Sequence, residues 1–250
     1  MKNILCAGLI LLSVIMLSMG VQDVCAADSG LKATIISIEG NDVKVDPKGD
    51  GAWVAADTDM ELAQGAKLKT GTGSSANLVF DKAMMNVLNV EEKTTIAVDA
   101  LSASLIRVDL TDGAVFAKLK ALKGSTFEVK TPVAICGARG SALKVVFALQ
   151  AISLSVLEDT IAFTPVKFPD TAVAVPPGFQ IAMLLSDTFV PRYTGLTLAE
   201  LAALNAQSAA VDVAVRTALG NEIRVGPQSE SEQETTQPVR PEGSNYGSVS

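Results

Sequence analysis

The chain has 250 residues, 48% hydrophobic and 4% aromatic, with a net charge of −7 and no histidine. That inventory excludes Ser-His-Asp and Cys-His nucleophilic sites and every histidine metal site. With an acidic balance and no basic block, it also lacks the footprint for neutralising nucleic-acid phosphates.

At the N-terminus, Lys2, the apolar residues 4–19 and Val24-Cys25-Ala26 read as a secretory signal peptide, residues 1–26, cut near Ala26. The apolar run is shorter than the roughly 20 residues of a membrane span, and Gln22-Asp23-Val24 ahead of Cys25 does not fit a lipobox. The expected mature chain is exported, periplasmic or secreted, with no stable membrane span after cleavage. Cleavage removes Cys6 and Cys25, so Cys136 has no partner for an internal disulfide. Stability must then come from a packed core, with Cys136 a small buried apolar residue.

From residue 31 the pattern is short strands between turns. Residues 33–39 are rich in β-branched side chains, Gly40-Asn41-Asp42 is a turn, and Val43-Lys44-Val45 alternates. A second turn, Asp46-Pro47-Lys48-Gly49-Asp50-Gly51, precedes Trp53, which is expected as a core anchor. Ala76, Leu78 and Phe80 fall on one strand face. Further strands are expected around Met85, Val87 and Leu88, over 94–98, over 105–110 and over 114–119, with Thr111-Asp112-Gly113 as the turn between the last two. Residues 125–130 form another. Strand runs bounded by Gly, Asn, Asp and Pro at this spacing indicate an all-β domain.

The stretch from Thr131-Pro132 through Gly137-Ala138-Arg139-Gly140-Ser141 holds two extended apolar runs around a lone arginine between glycines. Proline pushes Thr131 toward extended geometry, and Gly137 and Gly140 can supply the positive φ of a tight reversal. Strands follow over 153–157, 171–175 and 179–183. Pro165, Pro169, Pro176 and Pro177 argue for edges and loops in this part.

The period changes at Thr197-Leu198-Ala199-Glu200, which has capping-box form. Leu201, Leu204, Val211, Val215 and Leu219 predict an amphipathic helix over 197–220, with Gly220 as its C-cap. Its stripe packs on the β domain or docks a partner. Residues 226–250, with Glu230, Glu232, Glu234 and Glu242 among Ser, Gln, Thr, Gly and Pro, read as a disordered acidic tail.

Two carboxylate groupings have spacings that suggest chemistry. Asp46, Lys48, Asp50, Gly51 and Asp57 have calcium-loop spacing, but Lys48 stands where an oxygen ligand belongs, so a hairpin turn is the better reading. Asp57, Asp59 and Glu61 alternate as acid/base carboxylates on one strand face would, yet no aromatic-lined sugar cleft accompanies them. No catalytic residue, metal ligand or cofactor site is expected.

Taken in order, these segments resemble the FecR-type extracytoplasmic domain. The resemblance is carried by Trp53, Leu62, Gly65, Leu68, Thr70, Gly71, Ala76, Leu78, Phe80, Gly113, Val115 and Phe116, then the Thr131-Pro132 and Gly137-x-Arg139-Gly140-Ser141 signature. It spans roughly residues 33–145 and, more weakly, runs to about 184, giving an expected domain over 31–184. Ser141 stands where the family usually has threonine. The expected architecture is a sandwich or rolled barrel of short antiparallel strands, since sheet closure protects edges, with a β-solenoid as the alternative. The resemblance implies a non-enzymatic interaction or ligand-sensing module that binds another envelope protein, with Thr131, Pro132, Gly137, Arg139, Gly140 and Ser141 as the signature turn and candidate partner contact. Arg139 either ties the turn to carbonyls or acids of its own domain, or meets acidic or carbonyl groups of the partner. Classical members relay the state of an outer-membrane transporter to a sigma factor. Only Met1 to Asn3 precede the apolar run, so a cytoplasmic anti-sigma segment, and direct sigma-factor control, are not expected. A structural or carbohydrate-associated envelope protein is the alternative function.

Overall fold

The computed structural model describes residues 32–120 and 124–225; the expected signal peptide (1–26) and acidic tail (226–250) lie outside the described residues. The elements in chain order are β1 (Ala33–Glu39), β2 (Val43–Asp46), β3 (Val54–Ala55), β4 (Glu61–Leu62), β5 (Lys67–Thr70) and β6 (Ser75–Val79). Next come β7 (Asn86–Val90), β8 (Thr95–Leu101), β9 (Leu105–Leu119), β10 (Thr126–Lys130), β11 (Ala134–Ala138) and β12 (Ser141–Ala148). The last are β13 (Ala151–Val156), β14 (Ile161–Pro165), β15 (Val173–Val175), β16 (Phe179–Leu184), β17 (Thr194–Gly195) and the helix α1 (Leu198–Val225).

The strands lie in two layers. One runs β4, β1, β6, β7, the second half of β9, β12, β13, β16, β17. The other runs β3, β2, β5, β8, the first half of β9, β10, β11, β14, β15. Strand β9 belongs to both and joins them into one seventeen-stranded sheet. The layers do not close, so the fold is an open sandwich rather than a barrel. The chain advances along both layers together, as in a solenoid, but mostly by antiparallel pairing. The parallel rung is β9 with β10, where Thr126 faces Leu105 and Lys130 faces Asp109.

Alternation explains the packing. In β9, Val115, Ala117 and Leu119 enter the core between the layers, while Phe116 and Lys118 point to the opposite face. Leu78, Leu88, Leu143 and Leu154 of one layer meet Leu68, Ile96, Val129 and Phe163 of the other in one buried cluster. Phe80 and Phe127 make an edge-to-face contact within it at 5.5 Å. Cys136 is fully buried in this core as a free thiol, and burial pushes its pKa far up.

Helix α1 covers the outer face of the first layer. Leu204 and Val211 are buried against Ile36, Val79, Met84, Val87 and Phe116. At roughly 1.5–3 kcal/mol per fully buried large apolar side chain, this small cluster, with its polar ties, holds the helix. The capping box forms: Thr197 N–H donates to Glu200 Oε2 at 2.7 Å and Glu200 N–H donates to Thr197 Oγ1 at 3.3 Å. Over Leu198–Gly220 this helix is also long and apolar enough to cross a membrane by length and composition, and that stretch is 11% buried.

Several expectations are corrected. There is no turn at Thr111-Asp112-Gly113: β9 runs unbroken, with a register shift opposite Thr95 and Ile96 and Gly113 at φ +99°. The positive φ lets the strand twist from one layer into the other instead of reversing. Trp53 is half-buried at the surface because it falls between β2 and β3 at a sheet edge, where no opposing layer covers it. Its ring instead carries Lys69 Nζ at 4.1 Å. Strand β14 was not expected; it lies between β11 and β15, with Pro165 at its end, where a missing N–H interrupts no further pairing. Gly220 does not cap the helix, which continues to Val225, and Leu219 is exposed while Ser208 and Ala218 turn inward.

Candidate functional site

The signature segment crosses between layers. Strand β11 lies in the second layer, β12 in the first, and Arg139-Gly140 is the connection, with Gly140 at φ +139°. Gly137 does not take part in the reversal. It sits inside β11 opposite Glu128 and Ala162 without a positive φ, and a Cβ there would meet nothing nearer than 4.0 Å.

The hydroxyls of the signature serve the fold locally. Buried Thr131 closes a tight turn around exposed Pro132: its Oγ1 donates to Ala134 O at 3.0 Å and accepts from Val133 and Ala134 N–H at 3.2 and 3.1 Å. Ser141 is buried, and its hydroxyl donates to the Glu158 carbonyl. That bond ties the loop after β13 to the start of β12, beside the Leu157 N–H bond to Ala142 O at 2.8 Å.

Arg139 is exposed, and among the described residues it has no hydrogen bond or ion pair. Its surroundings form a rim at one end of the sandwich. Asn86, Leu119 and Ser141 stand side by side on β7, β9 and β12. The residues just beyond them, Met85, Lys120 and Gly140, therefore share that end, and Lys120 N–H donates to Met85 O at 3.2 Å. Lys82 lies in the loop from β6 to β7. The Asp81 carboxylate in that loop is turned inward, accepting from Met85 and Asn86 N–H at 3.1 and 2.9 Å. Lys82 and Lys120 are exposed and, like Arg139, unpaired among the described residues. Met85 is 44% exposed. Glu158 and Asp159, in the loop after β13, flank the rim on its far side.

Elsewhere many cations of the sandwich are neutralised. Arg107 reaches Glu128 Oε2 at 2.7 Å and Asp99 at 3.4 Å, and the Glu128 hydrogen bond pushes its pKa up. Lys130 pairs with Asp109 at 3.2 Å, Lys144 with Glu91 at 2.6 Å and Lys118 with Asp212 at 2.7 Å. Asp59 and Glu61 lie near Lys82, and Glu158 and Asp159 flank Arg139; between them Lys120 and Arg139, with the exposed Met85 thioether, form a cationic spot that suits an acidic surface. Lys82, Met85 and Lys120 carry no sequence motif. Pairing of distant strands brings Met85 and Lys120 to the end of the layer that carries Arg139, while Lys82 lines a cleft with Asp59 and Glu61 on the β4 side.

The two carboxylate groupings are separate. Asp46 holds the hairpin turn, its Oδ2 accepting from Gly51 N–H at 2.8 Å. Burial opposes its charge, but the N–H groups of Gly51, Gly49 and Asp50 and the Lys67 charge outweigh it and hold its pKa low. Asp57, Asp59 and Glu61 do not share a strand face: β4 begins at Glu61, Asp59 has φ +66°, and Glu61 pairs with Lys32 at 2.6 Å.

Residues 66–162 match the family model described as FecR protein. No curated protein matches the chain in sequence. Two crystal structures of a candidate anti-sigma factor from Parabacteroides distasonis ATCC 8503 are similar to it, with TM-scores of 0.46 and 0.47 and identities of 15% and 14%. Each comparison covers 55% of this chain and 63% or 62% of the neighbour, so the chain spans less than two thirds of those neighbours' length. The family match contains the signature turn and all four rim residues. The chain carries a FecR-type domain.

Proposed function

We propose that this chain is an exported, non-enzymatic interaction module of the cell envelope that binds an acidic surface of a partner protein through the rim around Arg139. The family of the matched domain is regulatory rather than catalytic, which supports a signalling role. The observation that carries the reading is Arg139 itself: exposed, on the inter-layer turn, without a partner among the described residues, and at the same end of the first layer as Lys120 in a chain of net charge −7. In this reading residues 1–26 are removed on export, residues 31–184 form the module, and the tail from 226 is a solvated terminus. The carbohydrate-associated alternative gains no support, since the lone Trp53 carries Lys69 on its ring.

The test is site-specific photo-crosslinking. The exported chain keeps Arg139 and carries the crosslinker at the exposed loop position Ala83, or at the exposed control position Leu149, and is captured from envelope extract with and without added salt. The expected result is a discrete protein adduct at 83 and not at 149, weakened by salt and lost on Arg139→Glu or Lys120→Glu while the fold is unchanged. Adducts that are equal at both positions, or insensitive to the charge reversals, overturn the proposal.

A further inference from the structure

At the far end of the sandwich the second layer stops at β15. Its Ile161↔Val175, Ala162↔Ala174 and Phe163↔Val173 pairs join it to β14 on one side, and among the described residues no strand pairs on the other. An unpaired edge offers backbone N–H and C=O groups that an added strand can satisfy. The segment 190–193, which leads into β17, faces residues 171–173 at the start of β15. Between the two is a cleft of about 800 Å³, with residues 171–173 on one wall and 190–193 on the other.

The shape and chemistry of this cleft select an occupant. A free edge whose first residue, Val173, opens into a slot accepts an extended chain rather than a helix. Val173, Val190 and Pro191 make the lining largely apolar, and the Tyr193 ring is fixed edge-to-face on Phe179 at 5.2 Å. Phe189, next in the chain, is 66% exposed. The lining holds one cation, Arg192, and no carboxylate. Arg192 is exposed and unpaired among the described residues, so the complementary ligand carries a carboxylate. Pro169, Pro176 and Pro177 bracket the three residues of β15, which limits pairing to a short segment instead of open-ended edge association.

We propose that this slot takes a short, extended, acidic segment of a partner protein as an added strand on β15. An apolar side chain packs between Val173 and Val190, and a carboxylate meets Arg192. The inference rests on reading the chain as a protein-interaction module, but it uses a surface at the other end of the last rungs from Arg139.

The probe is a phage-displayed library of random linear peptides panned on the full exported chain, with enriched peptides resynthesised for titration. Expected are sequences alternating apolar and acidic residues that slow amide exchange at residues 173–175. Arg192→Glu should weaken their binding about tenfold to a hundredfold, the worth of a charge-assisted hydrogen bond. Ala172→Trp, at an exposed position on the slot wall, should block it without altering the fold. Arg139→Glu should leave peptide binding unchanged, so failure here and failure of the rim are separable. Three results overturn the proposal: no enrichment, peptides indifferent to both slot variants, or enrichment only after Glu230, Glu232 and Glu234 are replaced by Gln. The last would mean that the chain's own tail fills the slot.

Discussion

Lys118 Nζ lies 2.7 Å from both carboxylate oxygens of Asp212, joining the outer face of β9 to the middle of α1 across 94 residues of sequence. Next to it, Gln207 Nε2 donates to Glu91 Oε1 at 2.6 Å, and Glu91 pairs with Lys144. With Leu204 and Val211, these polar ties set which face of an alanine-rich helix lies on the sheet. Asp212 remains 46% exposed, so the pair is a surface ion pair in energy. A double-mutant cycle with Lys118→Ala and Asp212→Ala should give a coupling of about 0.5–1 kcal/mol in urea denaturation, with faster amide exchange confined to α1. A coupling near zero would leave the helix held by Leu204 and Val211 alone.

Gly113 is where β9 changes layers. A Cβ there would come within 2.3 Å of Thr94 Oγ1 and 2.5 Å of Thr94 Cα, at φ +99°. Gly113→Ala is expected to cost about 2–3 kcal/mol. Adding Thr94→Ala should not restore stability, because the backbone atom still obstructs. Thermal melts of the single and double variants decide this; a full rescue would show that only the hydroxyl was in the way.

The signature residues should separate by variant. Ser141→Ala removes the part-buried hydrogen bond to the Glu158 carbonyl and should cost about 1 kcal/mol. Arg139→Ala removes an exposed, unpaired side chain and should stay within about 0.5 kcal/mol of the parent. Equal losses in chemical denaturation would instead make Arg139 part of the fold's own bonding.

Acid should weaken the fold through two carboxylates. The Thr197 backbone N–H, with its hydroxyl and then Gln180, lowers the Glu200 pKa, and backbone N–H groups lower that of Asp46 against the opposing effect of burial. Groups depressed in the folded state contribute stability above their unfolded values, about 4.3 for Glu and 3.9 for Asp. That stability is lost as pH falls through the lower folded values. Glu200→Gln and Asp46→Asn should each flatten the acid limb of a stability profile. An unchanged limb would place the acid sensitivity elsewhere.

Cys136 behaves oppositely in sign. Burial raises its pKa, so the folded chain holds the proton while the unfolded chain loses it above about pH 8.5. Its contribution is full below that value and declines as pH rises. A thiol reagent should label Cys136 only on unfolding, with labelling in urea tracking the unfolded fraction. Rapid labelling of the native protein would contradict the burial.

Much of the fold was legible locally. β1 falls on the expected residues, Ala76, Leu78 and Phe80 share the core, Thr197 and Glu200 cap the helix, and Cys136 is buried. Each depends on neighbours within a few residues, through alternation, turn chemistry or capping geometry. The FecR resemblance was legible for the same reason, being an ordered series of such local signals. Of the candidate site, the turn at Arg139 was visible, while Met85 and Lys120 at the same end of the layer were not.

The amino-acid sequence by itself determined a β-rich chain with its strand periods, most of its turns, a capped helix and no histidine chemistry. The tertiary structure alone decided which layer each strand joins, that β9 passes through Gly113 without turning, that Trp53 stays at an edge, and which helix face is buried. It also decided that Arg107 is neutralised by Glu128 while Arg139 has no ion pair among the described residues. These outcomes depend on pairings between residues far apart in sequence. An arginine reads alike in either place until distant strands fix which carboxylates surround it.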